Sequence, residues 1–184
     1  MTKMKAQSKG QVFSGEFLIA FMLFMAGLML ILHLWDLSTR DLFQAEDQRT
    51  MAEFGVEAAE KLIRTPGTPE NWVLDNVTSL GLSNKSRVLV PYKLLEFKHF
   101  MDHGQTDLCS LPGGSNYECN LYLLGIGGYD FYFNLTYLNG SVVEVDGEAM
   151  GVGRVPSNDT EAMTITRTAV LDGEITRLYF TVWR

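Results

Sequence analysis

Between Phe17 and Leu32 stand sixteen consecutive residues without a charge, a proline or a side-chain amide. Carried on through His33 to Trp35, the run reaches nineteen residues. That is about 28 Å of helix at 1.5 Å per residue, close to the hydrocarbon thickness of a bilayer. A soluble domain in a chain of 184 residues has no need of such a segment at its N-terminus. Three readings of it compete. A cleaved secretory signal needs a short apolar core and then small residues at the cut. Here Leu32-His33-Leu34-Trp35-Asp36-Leu37 follows, with no Ala-x-Ala-like site. An ordinary membrane anchor fits the charges. Lys3, Lys5 and Lys9 precede the run, while Asp36, Asp41, Glu46 and Asp47 dominate after it. An excess of basic residues on the cytoplasmic side then puts the first ten residues inside, the remainder outside, and Trp35 at the outer interface. The third reading keeps the anchor and adds a cut at its front edge.

The order Lys9-Gly10-Gln11, then Ser14-x-Glu16, then the apolar run resembles the class III signal peptide of archaeal type IV pilin-like proteins. The resemblance implies that a prepilin peptidase cuts on the cytoplasmic side at or near Gly10 and Gln11. It implies that the apolar segment stays on the mature chain as the first half of a long helix. The family carries a glutamate as the fifth mature residue. In this chain a cut after Gly10 makes Glu16 sixth, and a cut after Gln11 makes it fifth.

Glu16 has a physical reading beside the family one. An ionised side chain at the edge of hydrocarbon costs roughly 2–3 kcal/mol even on lenient insertion scales. A partner offsets that cost. The resemblance supplies one: the new N-terminal amine of an adjacent subunit, met as helices leave the lipid and bundle. The alternative is a carboxylate solvated among headgroups.

The helix is expected to continue past the anchor. From Leu37 to Arg64 there is no proline and one glycine, Gly55. Apolar residues such as Phe43, Met51, Phe54, Ala58, Leu62 and Ile63 recur at helical spacing among charges, which predicts an amphipathic helix. Glu57 and Lys61 stand four apart in the favourable order. Thr65-Pro66-Gly67-Thr68-Pro69 ends it. A helix from about Ser14 to Arg64 spans roughly 75 Å; two helices with a bend near Trp35–Ser38 are the alternative. Further on, Tyr129–Leu138, Asn139-Gly140 and Ser141–Val145 predict a hairpin. Ala162–Leu171, Asp172-Gly173 and Glu174–Trp183 predict another. Together they predict a four-stranded antiparallel sheet with one face on the long helix, since an isolated hairpin does not stand alone. Lys93–Met101 and Asn120–Leu124 are read as short helices.

The downstream order Gly67-Thr68-Pro69-Glu70-Asn71-Trp72, Leu80-Gly81-Leu82, Lys93-Leu94-Leu95, Leu123-Leu124-Gly125, Tyr129-Asp130-Phe131 and a closing hairpin ending Val182-Trp183 is similar to archaeal class III signal-peptide proteins. The resemblance thus covers nearly the whole chain. It implies a surface protein of pilin-like form.

Two residue classes place the downstream part outside the cytoplasm. Cys109 and Cys119 are the two cysteines, ten apart across a polar, glycine-rich stretch. A disulfide closing that loop suits an oxidising compartment and contributes about 2–3 kcal/mol by chain-entropy arithmetic. Two cysteines alone are too few ligands for a metal. Asn76, Asn84, Asn134, Asn139 and Asn158 each begin an N-x-S/T sequon, five of the eight asparagines. Serine and threonine make up 24 of 184 residues, so about one asparagine in eight would fit by chance, and the excess points to N-glycosylation. Asn139 sits in a tight turn, and Asn134 must face outward from its strand. Charge agrees. The chain has 15 basic and 22 acidic residues, a net −7. Setting aside Lys3, Lys5, Lys9 and Glu16 leaves 12 basic against 21 acidic, a net −9, which argues against nucleic acid as a partner.

Candidate chemistry is sparse. His99 and His103, four apart with Asp102 between, would share a helix face, but no third ligand stands at a telling spacing and no HExxH occurs. Gly125-Ile126-Gly127-Gly128 opens no convincing helix for a phosphate, and Gly151-Val152-Gly153 reads as a loop. Met22, Met25 and Met29 belong to the membrane run.

The expected architecture is α+β: a long N-terminal helix, membrane-spanning then amphipathic, packed on a small antiparallel sheet in the manner of a type IV pilin. Residues 1–10 form the leader, 11–35 the transmembrane and assembly helix, 36–65 its amphipathic extension, and 66–184 the extracytoplasmic head. The expected function is that of a minor or adhesive pilin-like subunit, without enzymatic activity, cofactor or metal. Its expected partners are a prepilin peptidase, other pilin-like subunits, and the bilayer before assembly. The alternative is an uncut single-pass surface glycoprotein whose β-domain binds a ligand.

Overall fold

The computed structural model describes residues 15–73, 76–103 and 116–184. The fold is α+β, one long apolar N-terminal helix followed by a mostly antiparallel sheet. The first helix, α1, runs Gly15–Arg64 without a break. It stays helical through Trp35–Ser38, where Thr39 Oγ1 donates to the Trp35 carbonyl at 2.8 Å, so the two-helix alternative does not hold. Glu16 in the first turn and Lys61 and Arg64 in the last carry the charges that oppose the helix dipole. Ion pairs four residues apart, Asp36 with Arg40 and Arg49 with Glu53, both at 3.0 Å, brace its exposed surface. The chain divides into two compact units, and the boundary falls inside this helix, after Glu46.

In the second unit, Asp47–Arg184, the last turns of α1 present one apolar stripe. Met51, Ala58, Ala59, Leu62 and Ile63 are buried, spaced by threes, fours and sevens as a packed helix face requires. The helix ends against backbone. Its final carbonyls would otherwise lack partners. Leu82 N donates to Leu62 O at 2.8 Å, Arg87 N to Ile63 O at 2.7 Å, and Ser83 N to Thr65 O at 3.2 Å. Those donors lie in and beside a short hairpin that no strong local signal announces, β1 (Ser83–Lys85) and β2 (Val88–Leu89).

Two further helices follow. α2 (Pro91–His103) opens with proline at its first turn, where the missing N–H costs nothing. α3 spans Asn116–Leu124. Both overlap the predicted helical pieces and extend them toward the N-terminus. The buried Asn120 side-chain amide donates to Phe100 O at 2.7 Å and ties the two together.

The remaining strands are β3 (Asp130–Tyr137), β4 (Glu144–Val145), β5 (Glu148–Ala149), β6 (Gly151–Gly153), β7 (Ala162–Leu171) and β8 (Glu174–Trp183). Among the described residues, six of the eight strands form one sheet in the order β1-β2-β7-β8-β3-β6, and β4 and β5 form a separate pair. The predicted four-stranded antiparallel sheet is therefore corrected on three points. The β7–β8 hairpin is as expected, with Leu171 opposite Glu174 and a turn at Asp172 (φ 51°) and Gly173 (φ 87°), a two-residue turn matched to strand twist. The stretch Ser141–Val145 does not continue as a strand beside β3. It makes one bridge, Thr136 with Val142. It then turns back at Asp146 (φ 50°) and Gly147 (φ 83°) to pair β4 with β5, a second tight turn that competes for those residues. β6 takes the place beside β3. Gly153 permits it, since a Cβ there would lie 2.4 Å from the Phe131 carbonyl oxygen. Finally, β2 joins β7 in parallel, Val88 opposite Val170, a pairing no local signal announces.

One face of the sheet carries the core. Phe131, Phe133, Leu135, Leu178, Phe180 and Val182 are fully buried, alternating with polar neighbours as the pleat demands. Phe97 from α2 meets Phe133 edge to face at 5.5 Å, and Phe131 stacks on Phe180 at 5.4 Å. Each such ring contributes about 1.5–3 kcal/mol by burial. α1 lies against the same face at Gly55, where an added Cβ would come within 2.6 Å of Ile165 Cδ1.

Candidate functional site

The most unusual surface of the chain is the N-terminal part of α1. Its large apolar side chains are solvent-exposed, Met22 at 73% and Trp35 at 74%, and none of its most apolar eighteen-residue window is buried. A core helix of a water-soluble fold would be mostly covered. Among the described residues this is the one helix long and apolar enough to cross a membrane. Glu16 stands exposed at its front edge, one residue inside the helix start. Gly10 and Gln11 lie outside the described residues.

On the head, the sequon asparagines fall at five separate places. Asn76, Asn84, Asn139 and Asn158 are exposed and Asn134 is half-buried. Asn134 is on the outer face of β3, between the inward-facing Phe133 and Leu135. Asn76 Oδ1 accepts from Val73 N at 2.8 Å. Asn139 Oδ1 accepts twice from Ser141, from its N–H at 2.9 Å and its hydroxyl at 2.8 Å. Cys119 is buried in α3; Cys109 lies outside the described residues. His99 is exposed on α2 with Nε2 3.6 Å from Glu148 Oε1, and His103 is the last residue of that helix. Among the described residues no three histidines, cysteines or carboxylates gather as metal ligands.

Described residues of the second unit line two open hollows that bear on the sequons. One, of about 310 Å³, is lined by Glu70, Asn71, Asn84, Val90, Tyr92 and Lys93. The other, of about 460 Å³, is lined by Tyr137, Leu138, Asn139, Gly173, Glu174 and Ile175.

Three charged clusters went unread in the sequence. Lys93 is almost fully buried, and its ammonium donates to Pro66 O at 2.7 Å and to Ser83 O at 3.4 Å. Burial pulls its pKa below the ordinary lysine value. Arg167 donates from Nε to Glu60 Oε1 at 2.6 Å, joining β7 to α1. A signal for it existed: Arg167 interrupts the inward series Ile165, Ala169 and Leu171, where a charge needs a partner. The Arg154 guanidinium lies 4.5 Å over the Tyr117 ring and 3.5 Å from Asp130. Burial, aided by the Asp130 charge, holds the Tyr117 phenol above its ordinary pKa. These clusters lock elements together.

No family model matches the chain, nor does any curated protein or solved structure.

Proposed function

We propose that the chain is a type IV pilin-like surface subunit of the minor or adhesive kind. A prepilin peptidase trims it near Gly10 and Gln11, and it assembles with other pilin-like subunits through α1. The observation that carries this reading is Glu16 in the first turn of a fifty-residue helix. Past Glu16 the helix is uncharged from Phe17 to Leu32 and uncovered there, and it supplies core residues where it ends. A helix that must leave lipid and pack against its own kind has reason to keep a carboxylate at its leading edge, where an adjacent N-terminal amine can neutralise it. Before assembly the helix crosses the membrane once. Lys3, Lys5 and Lys9 remain in the cytoplasm and the acidic head lies outside. There a Cys109–Cys119 disulfide and N-glycans on Asn76, Asn84, Asn134, Asn139 and Asn158 are permitted.

Mass spectrometry of the native protein tests the proposal. The expected mature chain lacks the first ten or eleven residues, and non-reducing digests contain a peptide linking Cys109 to Cys119. A chain that still begins at its first residue overturns processing and leaves the uncut single-pass glycoprotein. One observation favours that second reading: the extra residue that makes Glu16 sixth, if Gln11 is first.

A further inference from the structure

Strand β3 ends in a three-residue loop, Leu138-Asn139-Gly140. Gly140 N donates to Tyr137 O at 3.0 Å, Tyr137 N donates to Ser141 O at 2.9 Å, and Gly140 sits at φ +88°. This is a tight turn closed by a glycine bulge. It holds the sequon Asn139-Gly140-Ser141 in a form that two other sequons lack. In the sequon at Asn76, the Thr78 hydroxyl donates to Thr68 O instead. In the sequon at Asn158, the Thr160 hydroxyl is bonded to Ser157 Oγ. At Asn139 both the N–H and the hydroxyl of Ser141 converge on Oδ1.

That convergence bears on chemistry at the amide nitrogen. Glycosyl transfer forms a bond from Asn139 Nδ2 to the anomeric carbon of a lipid phosphate-linked oligosaccharide. The carbon–oxygen bond to phosphate breaks, the phosphate leaves with the electron pair, and Nδ2 gives one proton to a base of the transferase. As the proton leaves, negative charge develops on Oδ1. Two donors already aimed there stabilise it without reorganisation. Asn139 is exposed, and the space beside Gly140 is open, with nothing within 4 Å of where a Cβ would stand.

The surroundings of Asn139 are the second observation. The asparagine is itself part of the wall of the 460 Å³ hollow lined by the loop after β3 and the β7–β8 turn. Leu138 and Ile175, exposed to 52% and 51%, form apolar sides, and Glu174 adds a carboxylate. Apolar C–H faces of a sugar suit the first and its hydroxyls suit the second. The volume lies in the range of small-ligand sites. A covalent tether at the rim supplies the effective concentration that weak contacts need.

We propose that Asn139 is a glycan acceptor of the head and that its first sugars lie in this hollow, over Leu138 and Ile175. The proposal rests on the extracytoplasmic reading above. Glycopeptide mass spectrometry of protein from the native host reads occupancy at all five sequons. Hydrogen exchange then compares the glycosylated chain with Asn139→Gln and Ser141→Ala, which both remove the sequon by different chemistry. The expected result is a glycan on Asn139 and exchange at Gly173–Ile175 slower by about tenfold than in either variant, with the far ends of β7 and β8 unchanged as the control for folding. A bare Asn139 beside any occupied sequon overturns the proposal alone. So does an occupied Asn139 with equal exchange in all three chains. A chain bare at all five sequons overturns it together with the glycoprotein reading.

Discussion

Gly81 marks where two stretches of backbone meet. A Cβ there would stand 2.3 Å from Gly67 N and 2.4 Å from Thr65 O, and backbone atoms inside a packed loop cannot yield by that much. Its carbonyl accepts the buried Trp72 indole N–H at 2.7 Å. Gly81→Ala is therefore expected to cost about 2–4 kcal/mol. Gly55→Ala presses on side-chain tips rather than backbone, Ile165 Cδ1 at 2.6 Å and Val182 Cγ2 at 3.0 Å, and gains up to about 1 kcal/mol of helix propensity, so it is expected to cost less, about 0–1.5 kcal/mol. Urea unfolding of the two variants decides this, and equal losses would refute the contrast. The sequence showed Leu80-Gly81-Leu82 as a pattern but not its cause, because the constraint comes from Thr65 and Gly67, which the chain brings back only when folded. Lys93 was hidden for the same reason. Its two carbonyl partners belong to separate segments, and nothing adjacent in sequence asks for a cation.

Among elements, α1 and β7 are joined by Glu60 and Arg167. The Arg167 hydrogen bond, opposed by burial and helped by the charges of Arg64 and Arg87, holds the Glu60 carboxyl below the ordinary carboxylate range. A carboxyl with a lowered folded pKa favours folding while ionised. Its contribution is whole above the unfolded value of about 4.3 and fades as pH falls through the folded one. Glu60→Gln is expected to lower stability by about 0.5–1 kcal/mol at pH 7, with the two proteins converging in acid. Thermal melts across pH 3–7 read this, and a constant gap at every pH would rule out an ionic origin. The elements themselves were legible where the signal was local: the uninterrupted helix to Arg64, and the hairpin at Asp172-Gly173. They were not legible where two local signals competed. Asn139-Gly140 and Asp146-Gly147 both ask for turns, and the chain makes both, so Ser141–Val145 cannot remain a long strand. The parallel partner of β7 was out of reach because it depends on where α1 ends.

For the chain as a whole, the division after Glu46 separates an apolar helix with no core of its own from a unit that buries Phe97, Phe100, Phe131, Phe133 and Phe180. A fragment Asp47–Arg184 is accordingly expected to fold, remain monomeric without detergent and unfold cooperatively, whereas the full chain needs detergent or lipid. Circular dichroism and sedimentation of both chains test it. A fragment without a cooperative transition would mean that the head depends on the residues it has lost.

The way α1 ends has a mechanical consequence. Carbonyls at the C-terminus of a helix point along its axis, and here Leu62, Ile63 and Thr65 are held by donors from one hairpin. A pull on the helix toward its N-terminus is therefore borne by those bonds together with the chain itself. The same hairpin passes the load onward, since Val170 N donates to the Arg87 carbonyl at 2.8 Å. Tension on the last turns of α1 thus reaches β7 through backbone hydrogen bonds.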